Sequence, residues 1–477
     1  MIPIVDYIRI LPEIVLSIFA ILVMLVDPVI PTNESKKPLG YLGLIGVLAA
    51  LCATAYQSNF YGDAFFNMVR VDAFSIFFHV VVLLVTLVVV LSSFEYLEIQ
   101  KIQAGEYYGL ILLAAVGMML MSSAIELVLI FIALEISSIA TYILAGFRRR
   151  AAESAESSIK YFLLGSFATA FFLYGVAMVF GATGTTNVYR IAEVLSTQHS
   201  VLTYLAVSLM FVGIGFKVAS APFHVWTPDV YEGAPAPIVG FMSTGPKAAA
   251  FAVLLRVLFA TGAPGWFWLV WISAVLSMTI GNIGALVQNN VKRLLAYSSI
   301  AHAGYLLVAF AAAQTLGISA AIFYAASYAA MNVGAFAIVA HLSGKGERYV
   351  TLEDYIGLGR RSPLLAAMLT MFLLSLIGIP ITGGFFAKFY VFSAALQSNL
   401  VGLTIIGVIN SAIAAYYYLR IIVYMYMHDE RNDTPVAPIS VSLGVGIAIS
   451  LIATIYLGVL PNRVLADAVR AAQDLLK

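Results

Sequence analysis

Four ionisable side chains, Glu135, Lys217, Lys247 and Lys388, fall inside stretches of sequence that are otherwise apolar enough to cross a lipid bilayer. A charge at the bilayer centre costs roughly 2.5–3.5 kcal/mol on insertion scales, so residues of this kind mark ion and proton paths. Burial of an ammonium and approach of a carboxylate act in opposite directions on its proton affinity, so an acid and a base that separate and close again can release and recapture a proton. Glu135 is the acid nearest the middle of a span and the expected counter-charge of Lys217. Lys247 follows Gly245-Pro246, and Lys388 follows Gly383-Gly384. His224, in APFHVWTPDVYEGAP, and His302, in AYSSIAHAGY, are candidate proton relays because imidazole titrates near neutral pH. A hydrogen-bonded structural role is the alternative for His302 and the reading for His79 and His341. Arg256 and Arg420 lie off the centre of their spans and are expected to snorkel to the interface. The histidines are scattered, with no pair at helical ligand spacing, so no metal or haem site is expected.

These charges need a membrane scaffold, and composition supplies it. Of the 477 residues 62% are hydrophobic and only 10% charged, and the mean hydropathy is +0.98. Such a chain is an all-α integral membrane protein and not a soluble domain. A net charge of +1 gives no reason to expect nucleic acid. The single Cys52 excludes a disulfide framework, a four-cysteine zinc site and a cysteine-held iron–sulfur cluster. The start, MIPIVDYIRILPEIVLSIFAILVML, lacks a basic leader and a small-residue cleavage site, and reads as a first retained span.

A window of about 20 residues, enough to cross roughly 30 Å of hydrocarbon, gives about fourteen spans: 10–27, 39–57, 72–94, 107–122, 124–146, 157–182, 201–225, 236–261, 266–287, 294–313, 316–342, 362–396, 402–427 and 437–459. Two of them, the seventh and the twelfth, are interrupted, at Pro222 and at Pro380 with Gly383-Gly384. Proline removes a backbone donor and clashes with the preceding turn, so broken helices are expected there. The pattern divides a single polytopic domain into three N-terminal spans (1–100), a five-helix block (107–261), a second five-helix block (266–427) and a last span with its tail (437–477). A block with an odd number of spans, repeated, inserts upside down relative to its copy, and paired interruptions point to a transport site. Lys217 then stands near the C-terminal end of a half-helix, where a cation is favoured, and Lys388 near the start of one, where it is disfavoured.

With the N-terminus outside, fourteen basic residues, among them Arg148, Arg149, Arg150, Lys292, Arg293 and Arg431, lie on the inner loops and six, Lys477 included, on the outer ones. That asymmetry puts both termini outside. The loops are too short for a nucleotide-binding domain, and neither GxxxxGK[ST] nor a GxGxxG after a strand occurs. Any transport must be driven by an existing gradient or by a partner.

The run ASAPFHVWTPDVYEGAPAPIVGFMSTGPKAAAFAVLLR (219–256) resembles the subunit N family of the proton-translocating NADH:quinone oxidoreductase, respiratory complex I. VDAFSIFF (71–78), NNVKRLLAYSSIAHAGY (289–305), LEDYIGLGRRSP (352–363) and IGIPITGGFFAKFYVF (377–392) resemble the same family in the same order, so the likeness covers nearly the whole chain. PDVYEGAP sets this subunit apart from its sister antiporter-like subunits. The resemblance implies fourteen spans with two inverted five-helix repeats, and a proton path through Glu135, Lys217, Lys247 and Lys388. In that scheme Glu135 pairs with Lys217, Lys247 joins the halves and Lys388 gates the outer side. It also implies that NADH, FMN, iron–sulfur clusters and quinone belong to partner subunits, with no cofactor or metal bound by this chain. The neighbours would be other membrane-arm subunits and lipids, and the location the bacterial inner (cell) membrane. A subunit of a multi-protein cation/proton antiporter or of a membrane-bound hydrogenase, or a stand-alone solute transporter, is the alternative.

Overall fold

The computed structural model describes residues 3–31, 34–197, 201–261, 265–312, 315–428 and 436–476, with side chains left out at 259–261. Arg431 and Lys477, counted above for orientation, lie outside the described residues. Among the described residues twenty α-helices run in chain order: α1 (Ile4–Ile8), α2 (Leu11–Val26), α3 (Lys37–Gln57), α4 (Ala73–Gln100), α5 (Glu106–Ser123), α6 (Leu127–Ala145), α7 (Ala152–Thr183), α8 (Val188–Leu195), α9 (Val201–Val218), α10 (Trp226–Gly233), α11 (Ala236–Thr261), α12 (Trp266–Leu286), α13 (Val291–Ala311), α14 (Thr315–Leu342), α15 (Leu358–Arg361), α16 (Pro363–Ile377), α17 (Gly383–Gln397), α18 (Val401–Met427), α19 (Val441–Val459) and α20 (Pro461–Leu475). A small hairpin, β1 (Gly62–Ala64) and β2 (Val69–Val71), sits between α3 and α4, with Asp63 opposite Arg70.

Among the described residues thirteen helices are long and apolar enough to cross a membrane. The fourteenth crossing is the pair α16 and α17, two 15-residue halves of the broken twelfth span. Helix starts follow local chemistry: Asp72 and Ser75 form a capping box at α4, Asn290 caps α13, and Pro363 and Pro461 occupy first turns, where their missing donor is not needed. One span end and two added helices differ from expectation. α9 stops at Val218, before Pro222, because Ala219 turns to φ 57°. The short helices α8 and α20 add amphipathic segments outside the spans.

α11 lies at the centre of the bundle, buried along its whole apolar length, with α13 and α14 nearly as enclosed. With no hydrophobic drive between helices in lipid, close backbone approach at small residues does the packing. A Cβ at Gly117 would lie 2.6 Å from the Ser137 nitrogen, holding α5 on α6, and one at Gly281 would lie 2.6 Å from the Ala301 nitrogen, holding α12 on α13.

Candidate proton-translocation site

The first break is shaped around Lys217. α9 ends one residue beyond it, and the non-helical stretch 219–225 leads into α10. Freed backbone groups of that stretch find partners on α12: Ala221 donates to Ser277 Oγ (2.8 Å) and accepts from Ser273 Oγ (2.7 Å). Trp226 Nε1 donates to the Phe216 carbonyl at 3.0 Å, and its ring stacks on Tyr161 with centres 4.5 Å apart. Tyr161 is thereby fixed beside Lys217, whose Nζ donates to Ser138 Oγ (2.9 Å) and Tyr161 Oη (3.3 Å). The expected ion pair is not formed. Glu135 lies one helical turn before Ser138 on α6, its Oε1 buried without a hydrogen-bond partner among the described residues, and the Ser138 hydroxyl takes the place beside the ammonium. On α6 the side chain in contact with the ammonium is thus Ser138 and not Glu135.

Lys247 sits in the middle of α11, next to Pro246, which lies inside the continuous helix. Its Nζ donates to the Ser299 carbonyl at 2.8 Å and to Ser299 Oγ, both on α13. One turn along α13, His302 shares with Lys247 a cavity of about 10 Å³ bordered by Thr244, Phe251 and Tyr328, about one water molecule's room. His302 Nδ1 lies 2.7 Å from Tyr324 Oη and its Nε2 3.2 Å from Tyr418 Oη, which in turn bonds Ser298. His302 is therefore a fully bonded node between α13, α14 and α18.

The second break holds Lys388. Gly378, at φ 96°, ends α16, and α17 begins at Gly383. A Cβ on Gly384 would lie 1.8 Å from the Ser375 carbonyl oxygen, so no larger residue fits the close return of the chain. Lys388 Nζ reaches back to the carbonyls of Leu376 (3.1 Å) and Ile377 (2.8 Å) and to Ser411 Oγ (2.9 Å), 4.9 Å from the Tyr305 ring centre. The sequence expectation of an unfavourable dipole is corrected here. The side chain carries its charge from α17 to the carboxyl end of α16, where cations are stabilised.

The structure thus brings His302 to the lysines but leaves His224 apart: it lies in the first break, its Nδ1 buried without a partner among the described residues and bonded to none of the four charges. Arg256 does not snorkel. It is wholly buried, pairs with Asp72 at 3.0 and 3.1 Å, and donates to the Ser122 carbonyl and Tyr189 Oη. Arg420 likewise turns inward to the Leu286 carbonyl at 3.1 Å and that of Gln288, capping the end of α12. The sequence reading missed Ser138, Tyr161, Ser299, Tyr324, Tyr418 and Ser411, hydroxyls ordinary in any membrane bundle. It also missed a buried cluster around Glu347, which accepts from Lys292 Nζ (2.6 Å), Tyr96 Oη (2.7 Å) and the Ala236 nitrogen (2.7 Å), with Arg148 at 3.4 Å. Burial alone would raise the Glu347 carboxyl, but Lys292 and Arg148 hold it below its ordinary 4.5.

Two interrupted crossings, each presenting a buried lysine to hydroxyl groups, with a third lysine on the central helix, define an antiporter-like membrane subunit. The family described as NADH:quinone oxidoreductase/Mrp antiporter, transmembrane, matches residues 124–414. Among relatives, subunit N 2 of the NADH-quinone oxidoreductase of Koribacter versatilis is 70% identical over 100% of this chain and 99% of its own length, and subunit N 1 from Solibacter usitatus is 49% identical over 98% of each. A chain of respiratory complex I from Thermus thermophilus superimposes with a TM-score of 0.82 and 36% identity, covering 95% of this chain and 98% of that one. A chain of the Mrp complex from Dietzia shares the fold, with a TM-score of 0.85, 19% identity and coverage of 100% and 98%. This chain belongs to the subunit N family of NADH-quinone oxidoreductase.

Proposed function

We propose that this chain is an antiporter-like, proton-translocating subunit of the membrane arm of NADH:quinone oxidoreductase, and that Glu135, Lys217, Lys247 and Lys388 carry its proton path. The observation that supports the path most directly is the state of the three lysines: each ammonium is buried and held by hydroxyls and carbonyls, with no carboxylate in contact among the described residues. An uncompensated buried cation is expensive, so each site responds strongly to a neighbouring charge. Closing Glu135 onto Lys217 in place of Ser138 would stabilise the charged lysine, and opening it would favour proton loss toward the centre. His302 and the water-sized cavity beside Lys247 offer the continuation toward Lys388 through Tyr324, Tyr418 and Tyr305.

NADH, FMN, iron–sulfur clusters and quinone are assigned to partner subunits, and electron transfer there drives this chain electrostatically. Moving a unit charge against 100 mV requires about 2.3 kcal/mol, which the coupling must supply on each cycle. The matching roles of Gly117 and Gly281 support inverted five-helix repeats over 107–261 and 266–427, with the two breaks in corresponding places. The chain is placed in the bacterial inner membrane with both termini outside. Proton pumping by the assembled complex in membrane vesicles tests the site: K217A and E135A are each expected to cut quinone-dependent pumping to about a tenth or less. Undiminished pumping in both variants would overturn the assignment.

A further inference from the structure

A second buried acid–base pair lies among the three N-terminal spans, α2 to α4, and touches none of the four charges of the proposed path. Glu13 stands in the first turn of α2, 3% exposed, and neither carboxylate oxygen has a hydrogen-bond partner among the described residues. Its Oε1 is 3.4 Å from Nε2 of His79, a fully buried residue on α4. His79 faces acceptors on both sides: Nε2 lies 3.1 Å from the Met119 carbonyl of α5, and Nδ1 lies 3.3 Å from Gln57 Oε1 of α3. The Gln57 amide group is itself oriented, because its NH₂ donates to the Arg9 carbonyl and leaves Oε1 for the histidine.

A neutral imidazole has one N–H and one lone pair, so it would set a lone pair against an oxygen at one of these two contacts. The imidazolium donates to both. A buried imidazolium needs a counter-charge, and Glu13 is placed to supply it without another donor competing for the carboxylate.

We propose that Glu13 and His79 form a second proton-binding site, which takes up one proton from the aqueous side on which α2 and α4 begin. In the uptake step one proton adds to the free imidazole nitrogen of His79. The pair passes from a Glu13 carboxylate beside a neutral imidazole, net charge −1, to the same carboxylate beside an imidazolium, net charge zero; release returns that proton to water. Both residues lie close to that side: Glu13 is in the first turn of its helix, and His79 lies two turns into α4, about 10 Å from its start. Among the described residues the charged groups around the pair are few. Asp72, the N-cap of α4, is locked to Arg256 of α11, and Arg9, whose carbonyl holds Gln57, pairs with Asp6 of α1 at 3.6 Å. α20 places Asp474 at the α4 start, donated to by the Ala73 nitrogen, and Arg470 over the Tyr61 ring. α3 presents Gln57 and α5 the Met119 carbonyl, while Glu95 and His341, where α4 meets α14, pair at the far end of α4.

The test is the pH profile of NADH-driven pumping by the assembled complex, read for E13Q, H79Q and the double variant. The inference rests on this chain taking part in pumping, and K217A run alongside separates the two ideas: it removes pumping, whereas loss of the second site moves its pH dependence. Each single variant is expected to shift the profile by about one pH unit, and the double variant no further, because the two residues hold one proton together. Profiles that superimpose on that of the unchanged chain would overturn the proposal. Where a glutamine variant fails to assemble, E13D is read instead, since it keeps the carboxylate one methylene short of His79: a shifted profile supports the pair and an unshifted one refutes it.

Discussion

At the scale of single residues, the group that meets the Lys217 ammonium from α6 is a hydroxyl and not the carboxylate one turn away. Ser138 Oγ stands 2.9 Å from Lys217 Nζ while Glu135 Oε1, on the same helix, is left without a partner among the described residues. A hydrogen bond to a charged group contributes roughly 1.5–3 kcal/mol. S138A should therefore change the balance between the open and closed pair without removing either titratable group. The expected outcome is pumping reduced several-fold but not abolished, with the complex assembled to its usual level, measured as proton uptake per NADH oxidised; unchanged uptake would show that Ser138 does not hold the pair open. The four charges were legible in the sequence because a charge inside an apolar run has few explanations. The hydroxyls that seat them were not, because serine and tyrosine are common in packed spans and only the fold says which of them face a lysine. Arg256 was misread for a related reason: its partner Asp72 is 184 positions away, and distance along a span says nothing about a partner on another helix.

At the scale of elements, the two breaks were visible as Pro222, Pro380 and the Gly383-Gly384 pair, but their geometry was not. Helix α9 ends four residues before its proline and α16 ends at Ile377, each followed by a residue at positive φ, Ala219 and Gly378, of which only the glycine is suited to that conformation. The second break returns so closely that Gly384 meets the Ser375 carbonyl. G384A should force α16 and α17 apart and lower the amount of assembled complex sharply, as read by native gel of solubilised membranes, whereas substitution at Gly402, which has open space around it, should not. The Arg256–Asp72 pair makes a parallel case. It ties α11 to the start of α4, and removing one partner of a buried pair costs about 3–5 kcal/mol because the other charge is left unpaired. R256M should lower the melting temperature of the complex by leaving Asp72 unpaired, and D72N combined with R256M, which keeps a capping acceptor at the start of α4, should recover much of the loss; a double variant no better than R256M would mean that the pair itself stabilises the fold.

For the whole molecule, fourteen crossings were foreseeable from hydropathy, but which helices lie enclosed was not, because α11, α13 and α14 are less apolar than the outer helices α2 and α19. The cluster that ties this centre together on one side of the membrane was not foreseeable either. Glu347 comes from a short loop and draws Lys292, Arg148, Tyr96 and the start of α11 to one carboxylate, joining both five-helix blocks at a single group. Burial opposes its ionisation, but Lys292 and Arg148 prevail and hold the carboxyl below its ordinary 4.5. A carboxyl depressed in the folded state contributes stability that is present above its unfolded value and is lost as pH falls through its folded value. The purified complex should therefore melt at a higher temperature than its E347Q variant at neutral pH, and the gap should narrow as the pH is taken below 4.5. The sign follows from the fact that glutamine cannot lose a proton, so the variant is missing at neutral pH what the unchanged chain loses only in acid. A gap that stays constant from neutral to acid pH would mean that Glu347 joins the two halves by shape and hydrogen bonding alone, and that its charge does not hold them together.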